Sequence, residues 1–347
     1  MTRPRAIACS IAALLMLGAL GGCKAPTAIR SAWPPATSER VVPRPAGTLR
    51  WPLTGEPAPS AEAVTARVVS VKIENAPGAR PQTGLDRADI VYEVMAEGGI
   101  TRFNALFQSD IPATVGPVRS ARPPDFWIVP QYHAIFAHCG GDSAVRAHLK
   151  DRSLYDDMDQ FFNPGPYKRV TYKSAPHNLY LSISKLRTAA VKNRGYAATA
   201  TVKGLTFTKS PLPAVPTASS ITVPFSSPNR VKWAYDASSN VYARSINGVK
   251  HVDRVSKKQY TARNVVVLWA VEKHYAPAGA KSQVLSIALT GTGRATIFRD
   301  GQRFDGTWTA TQTSPPELRD QAGKVIGLAE GNTWFQVIAS NQKITVK

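Results

Sequence analysis

Three cysteines in 347 residues are too few for a disulfide framework. One of them, Cys9, lies inside an apolar N-terminal run, and if that run is removed only Cys139 accompanies Cys23. An exported chain of this kind has no internal disulfide, and its core must rest on burial. The six histidines show no zinc-ligand spacing. No Gly-x-Ser-x-Gly elbow is present, and Cys139 has no evident base partner. Zinc-finger spacing, an aromatic RNA-binding signature and a continuous basic helix are all missing, so nucleic acid is not an expected partner. No apolar run reaches the roughly 20 residues that a spanning helix needs. Acidic side chains are also scarce, 23 against 43 Lys and Arg, for a formal net charge of +20. Such a surplus suits an anionic membrane or wall polymer, and equally a surface that is merely soluble.

What is present begins with Arg3 and Arg5, an apolar stretch from Ala6 to Leu20, and then Gly21-Gly22-Cys23. That order is the three-part layout of a secretory signal over residues 1–23. The Cys after Leu-Gly-Gly resembles a bacterial lipobox, which implies acylation of Cys23 and anchoring to the outer, extracytoplasmic face of the cell membrane. Residues 24–66 carry eight prolines and little apolar periodicity, and read as a disordered stalk.

From Arg67 the texture changes. Val68–Ile73, Ala88–Val94, Phe103–Phe107 and Tyr132–Ala137 read as strands. Asp142–Leu149 and Ser182–Arg194 read as helices, the first with Asp142 as its cap. The expected fold is therefore a mixed α/β (α+β) N-terminal domain over 67–205. A smaller, mainly antiparallel β domain is expected over 206–347. There Asn247-Gly248 and Asp300-Gly301 each carry the signature of a two-residue hairpin, and Val265–Trp269 and Trp334–Ile338 read as buried strands. Trp233, Trp269, Trp308 and Trp334 suit core packing better than a sugar-stacking surface.

Unusual residues concentrate between Arg80 and His148: Arg80 before a proline, Glu93, Glu97 and Arg102 around Gly98-Gly99, Arg119 and Arg122 three apart, then His138-Cys139-Gly140-Gly141-Asp142. Loops at strand ends commonly carry function. Ile73-Glu-Asn, Ala79-Arg-Pro-Gln-Thr-Gly-Leu85, Glu97-Gly-Gly-Ile-Thr-Arg102, Gly116-Pro-Val-Arg-Ser-Ala-Arg122, Pro176-His-Asn-Leu-Tyr180 and Gly331-Asn-Thr-Trp334 closely resemble the YerB-like lipoproteins over about residues 68–345. That resemblance implies a signal with a lipobox and assigns no activity.

In outline the Asp89 strand, the Arg119–Arg122 loop and the Gly140-Gly141 turn before a helix are also similar to the LytR–CpsA–Psr transferases, which handle polyprenyl pyrophosphates. Under that resemblance Arg119, Arg122 and His138 are catalytic candidates. Arg80, Arg102, Gly140, Gly141, His177 and Asn178 are candidates for binding the anion. Asp89, Glu93 and Asp142 would hold a divalent cation between phosphates. The expected partners are then the membrane through the lipid and an anionic wall polymer or lipid-linked precursor. The plainer alternative is a non-enzymatic envelope protein that binds polymer or a partner protein. In it Arg119 and Arg122 only pin loops against Glu93 and Glu97, His138 is a satisfied core residue, and His177 caps the following helix.

Overall fold

The β-branched run that opens the folded region pairs on both sides. The computed structural model describes residues 49–208, 215–275 and 284–347, so Cys23, the signal and residues 24–48 of the expected stalk lie outside it. In chain order come α1 (Ala61–Thr65), β1 (Val69–Glu74), β2 (Ile90–Met95), β3 (Thr101–Phe107), α2 (Asp125–Gln131), β4 (Ile135–His138), α3 (Ser143–His148), β5 (Asp156–Asp159), the ribbon strands β6 (Tyr167–Arg169) and β7 (Leu179–Leu181), and α4 (Ile183–Arg194). Then follow β8 (Ser220–Ser226), β9 (Asn229–Asp236), β10 (Val241–Ile246), β11 (Val249–Lys250), β12 (Thr261–Ala262), β13 (Asn264–Ala270), the ribbon strands β14 (Glu272–Tyr275) and β15 (Val284–Ile287), β16 (Gly291–Arg299), β17 (Gln302–Ala310), β18 (Glu317–Arg319), β19 (Thr333–Ala339) and β20 (Thr345–Val346).

Ten strands form one sheet in the order β18-β17-β16-β13-β19-β2-β3-β1-β4-β5. Strands of both expected domains therefore share one sheet, joined where β19 pairs in parallel with β2. Among the described residues strand accounts for 41% and helix for 14%, so the architecture is mostly β rather than the more even mixture expected of its N-terminal part. A second, antiparallel sheet, β11-β10-β9-β8-β20, covers one face. Between the two sheets Val69, Val71 and Val91 pack with Trp233, Tyr242 and Trp334. On the other face Ile90, Tyr92, Leu106 and Phe136 pack with Ile128, Val129 and Phe335. With both faces covered, β1 is buried at every position, its polar Ser70, Lys72 and Glu74 included. The four tryptophans in question are all buried in the core, as expected.

Both predicted hairpin turns form. Asn247 and Gly248, with φ of 51° and 80°, link Ile246 to its partner Val249, and Asp300 and Gly301, with φ of 53° and 70°, link Arg299 to Gln302. Positive φ at both central residues is the type I′ geometry that matches strand twist. Two expectations need correction. Residues 49–66 of the predicted stalk are folded: Leu53 is fully buried and α1 is capped by Ser60. The strand predicted from Tyr132 starts only at Ile135, because Pro123-Pro124 launches α2, whose C-cap is Tyr132.

A candidate anion site at the carboxyl ends of the strands

Strands β1, β2, β4, β5, β13 and β19 all run in one direction. Open sheets with parallel strands present their ligands at carboxyl ends, and here that edge collects Glu74, His138 and Asp159. The segment from Arg119 to Ala121 is threaded between two of those ends: Arg119 N donates to Lys72 O, Cys139 N to Arg119 O, and Ala121 N to Gly140 O. The chain order thus brings the predicted arginine loop directly beside the predicted glycine turn.

On one side of the segment lies the arginine cluster. Arg119 Nε is 3.1 Å from Glu74 Oε1, and the other Glu74 oxygen meets His177 Nδ1 at 2.8 Å. Arg122 Nε donates to Glu97 Oε1 at 2.5 Å. Arg102 Nη1 donates to Ser120 O at 2.9 Å, and its Nη2 is 3.9 Å from Glu97. Burial, with Arg122 and Arg119 close by, pushes Arg102 down to about 10. Behind them Lys72 is buried against Asp125 at 2.7 Å, and desolvation holds its ammonium below the usual lysine value. The three guanidinium groups lie near one another, but Arg119 and Arg122 each rest on a carboxylate. Their partners are Glu74 and Glu97 rather than Glu93 and Glu97.

On the other side lies His138. It is fully buried, its Nδ1 faces Gly140 O at 2.9 Å, and its Nε2 faces Asp157 Oδ1 at 2.7 Å. Both partners accept, an arrangement satisfied by a ring that carries protons on both nitrogens, the imidazolium. Burial pulls the pKa down, but the Asp157 hydrogen bond and charge, with Asp159 and Gly140 O, outweigh it and hold His138 above its ordinary 6.5. In that form neither ring nitrogen has a lone pair with which to take a proton from a substrate.

His138 contributes to a cavity of about 600 Å³ that is also lined by Arg146, Lys150, Arg152, Asp157, Asp159 and Arg194. Gly140, with φ of 68°, turns the backbone so that its N–H donates to Asp159 Oδ1 at 2.9 Å. Gly141 packs against Val145. The expected seat for an anion at the start of α3 is taken by Asp142 itself, whose Oδ1 accepts from Val145 N at 2.9 Å.

Other predicted residues fall elsewhere. Asp89 starts β2 at the opposite end of the strand direction and accepts from Gln108 N and Ser109 N. Burial raises its pKa to about 6. Glu93 lies mid-strand against Arg244. The structure therefore does not bring Asp89, Glu93 and Asp142 together, and the described residues contain no cluster of three metal-ligating side chains. Arg80 binds Asn75 and reaches Asn229 on the second sheet. Asn178 accepts from Arg169 and pins the β6–β7 ribbon, while His177 joins Glu74 rather than capping a helix. Sequence reasoning missed Glu74, Asp157, Asp159 and the four cations of the cavity. Asp156-Asp-Met-Asp159, three acids in a short strand next to a half-buried edge, was the available signal.

Residues 53–197 match the family model described as "Protein of unknown function (DUF3048) N-terminal domain", and residues 221–335 match its C-terminal domain. The chain is 32% identical over 302 residues to the Bacillus subtilis (strain 168) protein "Putative lipoprotein YerB", covering 86% of this chain and 88% of that one. The crystal structure of YerB protein from Bacillus subtilis is similar with a TM-score of 0.78 at 29% identity, over 86% of this chain and 100% of the other. Among the described residues no helix is long and apolar enough to cross a membrane.

Proposed function

Because the chain belongs to the DUF3048 family, we propose that it is a lipoprotein held through Cys23 on the extracytoplasmic face of the membrane, where it binds a phosphate- or pyrophosphate-bearing component of the cell envelope. The observation that carries this reading is the cavity beside His138. Arg146, Lys150, Arg152 and Arg194 line it, against only Asp157 and Asp159, and the His138 imidazolium adds a further positive charge. Its size is that of ordinary small-ligand sites. Guanidinium groups give phosphate oxygens paired, charge-assisted hydrogen bonds. A lipid-linked pyrophosphate and an anionic wall polymer both offer that chemistry.

Binding is favoured over turnover at this cavity because His138 has no free nitrogen. The test is titration calorimetry of inorganic pyrophosphate into the chain from Lys24 onward, which keeps the whole compact unit Ala46–Lys347. We expect binding that weakens with added salt and falls about tenfold in R146A/K150A, since each lost cation at an exposed site costs about 0.7 kcal/mol. Both side chains are exposed, so the fold should survive. Affinity unchanged in that variant, or no binding at low salt, would overturn the assignment.

A further inference from the structure

Phe161 and Phe162, which directly follow β5 with only Gln160 between, are 64% and 70% exposed. Large apolar side chains standing side by side in solvent mark a contact surface. These two are held outward by a tight turn rather than left on a loose one. Phe161 N donates to Asp159 Oδ1, and Phe162 N and Asn163 N both donate to Asp159 O. Asn163 Nδ2 donates to that same carbonyl. The Phe161 ring also lies against Gly140, where an added Cβ would come within 3.0 Å of it.

The surroundings of the pair are basic. Phe162 lines the His138 cavity together with Arg146, Lys150 and Arg152. It also lines a neighbouring hollow of about 280 Å³ with Lys185 and Arg194. An apolar tip ringed by cations is complementary to a surface that is negative outside and apolar just beneath, which is the profile of an anionic bilayer. An acidic protein groove would match the charge but would not keep the chain beside it. A lipid on Cys23 would: about 26 residues separate it from Leu49, which at ~3.3–3.6 Å each reach no farther than roughly 90 Å from the membrane.

We infer that the Phe161–Phe162 turn is the face this protein lays on the anionic surface of its own membrane. The two rings enter the boundary between headgroups and acyl chains, and Arg146, Lys150, Arg152 and Lys185 meet lipid phosphates. This rests on the tethering in the reading above and not on its pyrophosphate site. The effect is to set the mouth of the cavity against the bilayer, so that phosphate groups carried on lipids reach it first.

The experiment is sedimentation of the unlipidated chain from Lys24 onward with phosphatidylcholine vesicles that contain or lack phosphatidylglycerol. Binding is expected only where phosphatidylglycerol is present. F161S, whose ring is not part of the cavity lining, should lower the partition coefficient severalfold with the melting temperature and pyrophosphate affinity unchanged, and F161S/F162S should lower it on the order of tenfold or more. R146A/K150A should lower both vesicle and pyrophosphate binding. Equal partitioning of F161S/F162S and the parent chain, or no partitioning of the parent onto anionic vesicles, overturns the inference. Loss of pyrophosphate binding with vesicle binding intact would instead remove the proposed ligand site and leave the docking face standing.

Discussion

Arg244 on β10 and Glu93 on β2 face each other across the two sheets, with Arg244 Nη2 at 2.8 Å and 2.7 Å from the two carboxylate oxygens and neither side chain exposed. The guanidinium lies over the rings of Phe103, Trp233 and Trp334. Glu93 also accepts from Thr101 Oγ1 and Asn75 Nδ2. A buried pair contributes little over an apolar replacement, yet removing one partner strands a charge in the core. R244M is therefore expected to cost about 3–5 kcal/mol in urea unfolding, and R244M/E93Q to recover more than half of that. A loss below about 1 kcal/mol in the single variant would mean that Glu93 finds another cation or takes up a proton.

His138 sets a pH dependence with a definite sign. Its folded pKa is raised above 6.5, so its contribution is complete below 6.5 and is lost as pH climbs through the raised value. Melting temperature and pyrophosphate affinity should both decline with rising pH across that window. H138Q, which cannot titrate, should show a flat profile there. Imidazole NMR shifts followed through the same range identify the group, and a His138 that is already neutral at pH 6 would contradict the double hydrogen bond.

The two hairpin glycines separate backbone strain from crowding. Gly248 and Gly301 both have positive φ, but an added Cβ meets nothing within 4 Å at Gly248, whereas at Gly301 it comes to 2.6 Å from the Tyr235 ring. G248A is expected to cost about 1–2 kcal/mol from left-handed strain alone. G301A should cost a further ~1–3 kcal/mol for forcing the ring aside. Calorimetric melts of the pair decide it, and equal losses would show that Tyr235 moves freely.

Much of the fold was legible locally. The hairpin dipeptides, the β-branched runs and Asp142 as a cap all depend on near neighbours in the chain, and they formed where the residues said. What was not legible was which strands would pair across distance. Nothing in Thr333–Ala339 announces that it lies between β13 and β2, and so the merging of two halves into one sheet was missed. The site followed the same division. Arg119, Arg122, Arg102, His138 and Gly140 could be singled out because they cluster in sequence. Arg194 and Asp157 come to His138 only through the packing of α4 and β5 and carry no short-range mark. The proposed metal ligands failed for a related reason: along β2, Asp89 and Glu93 sit four residues apart, and each has its own partners.

The place of β19 has a consequence for how the protein is made. Emerging N-terminus first, the chain carries two incomplete half-sheets whose inner borders stay raw until Thr333–Ala339 is delivered. Unpaired borders of that kind invite strand addition from other molecules. A nonsense codon just before Thr333 would therefore remove only a short tail and still yield material that clumps rather than a slightly weakened monomer.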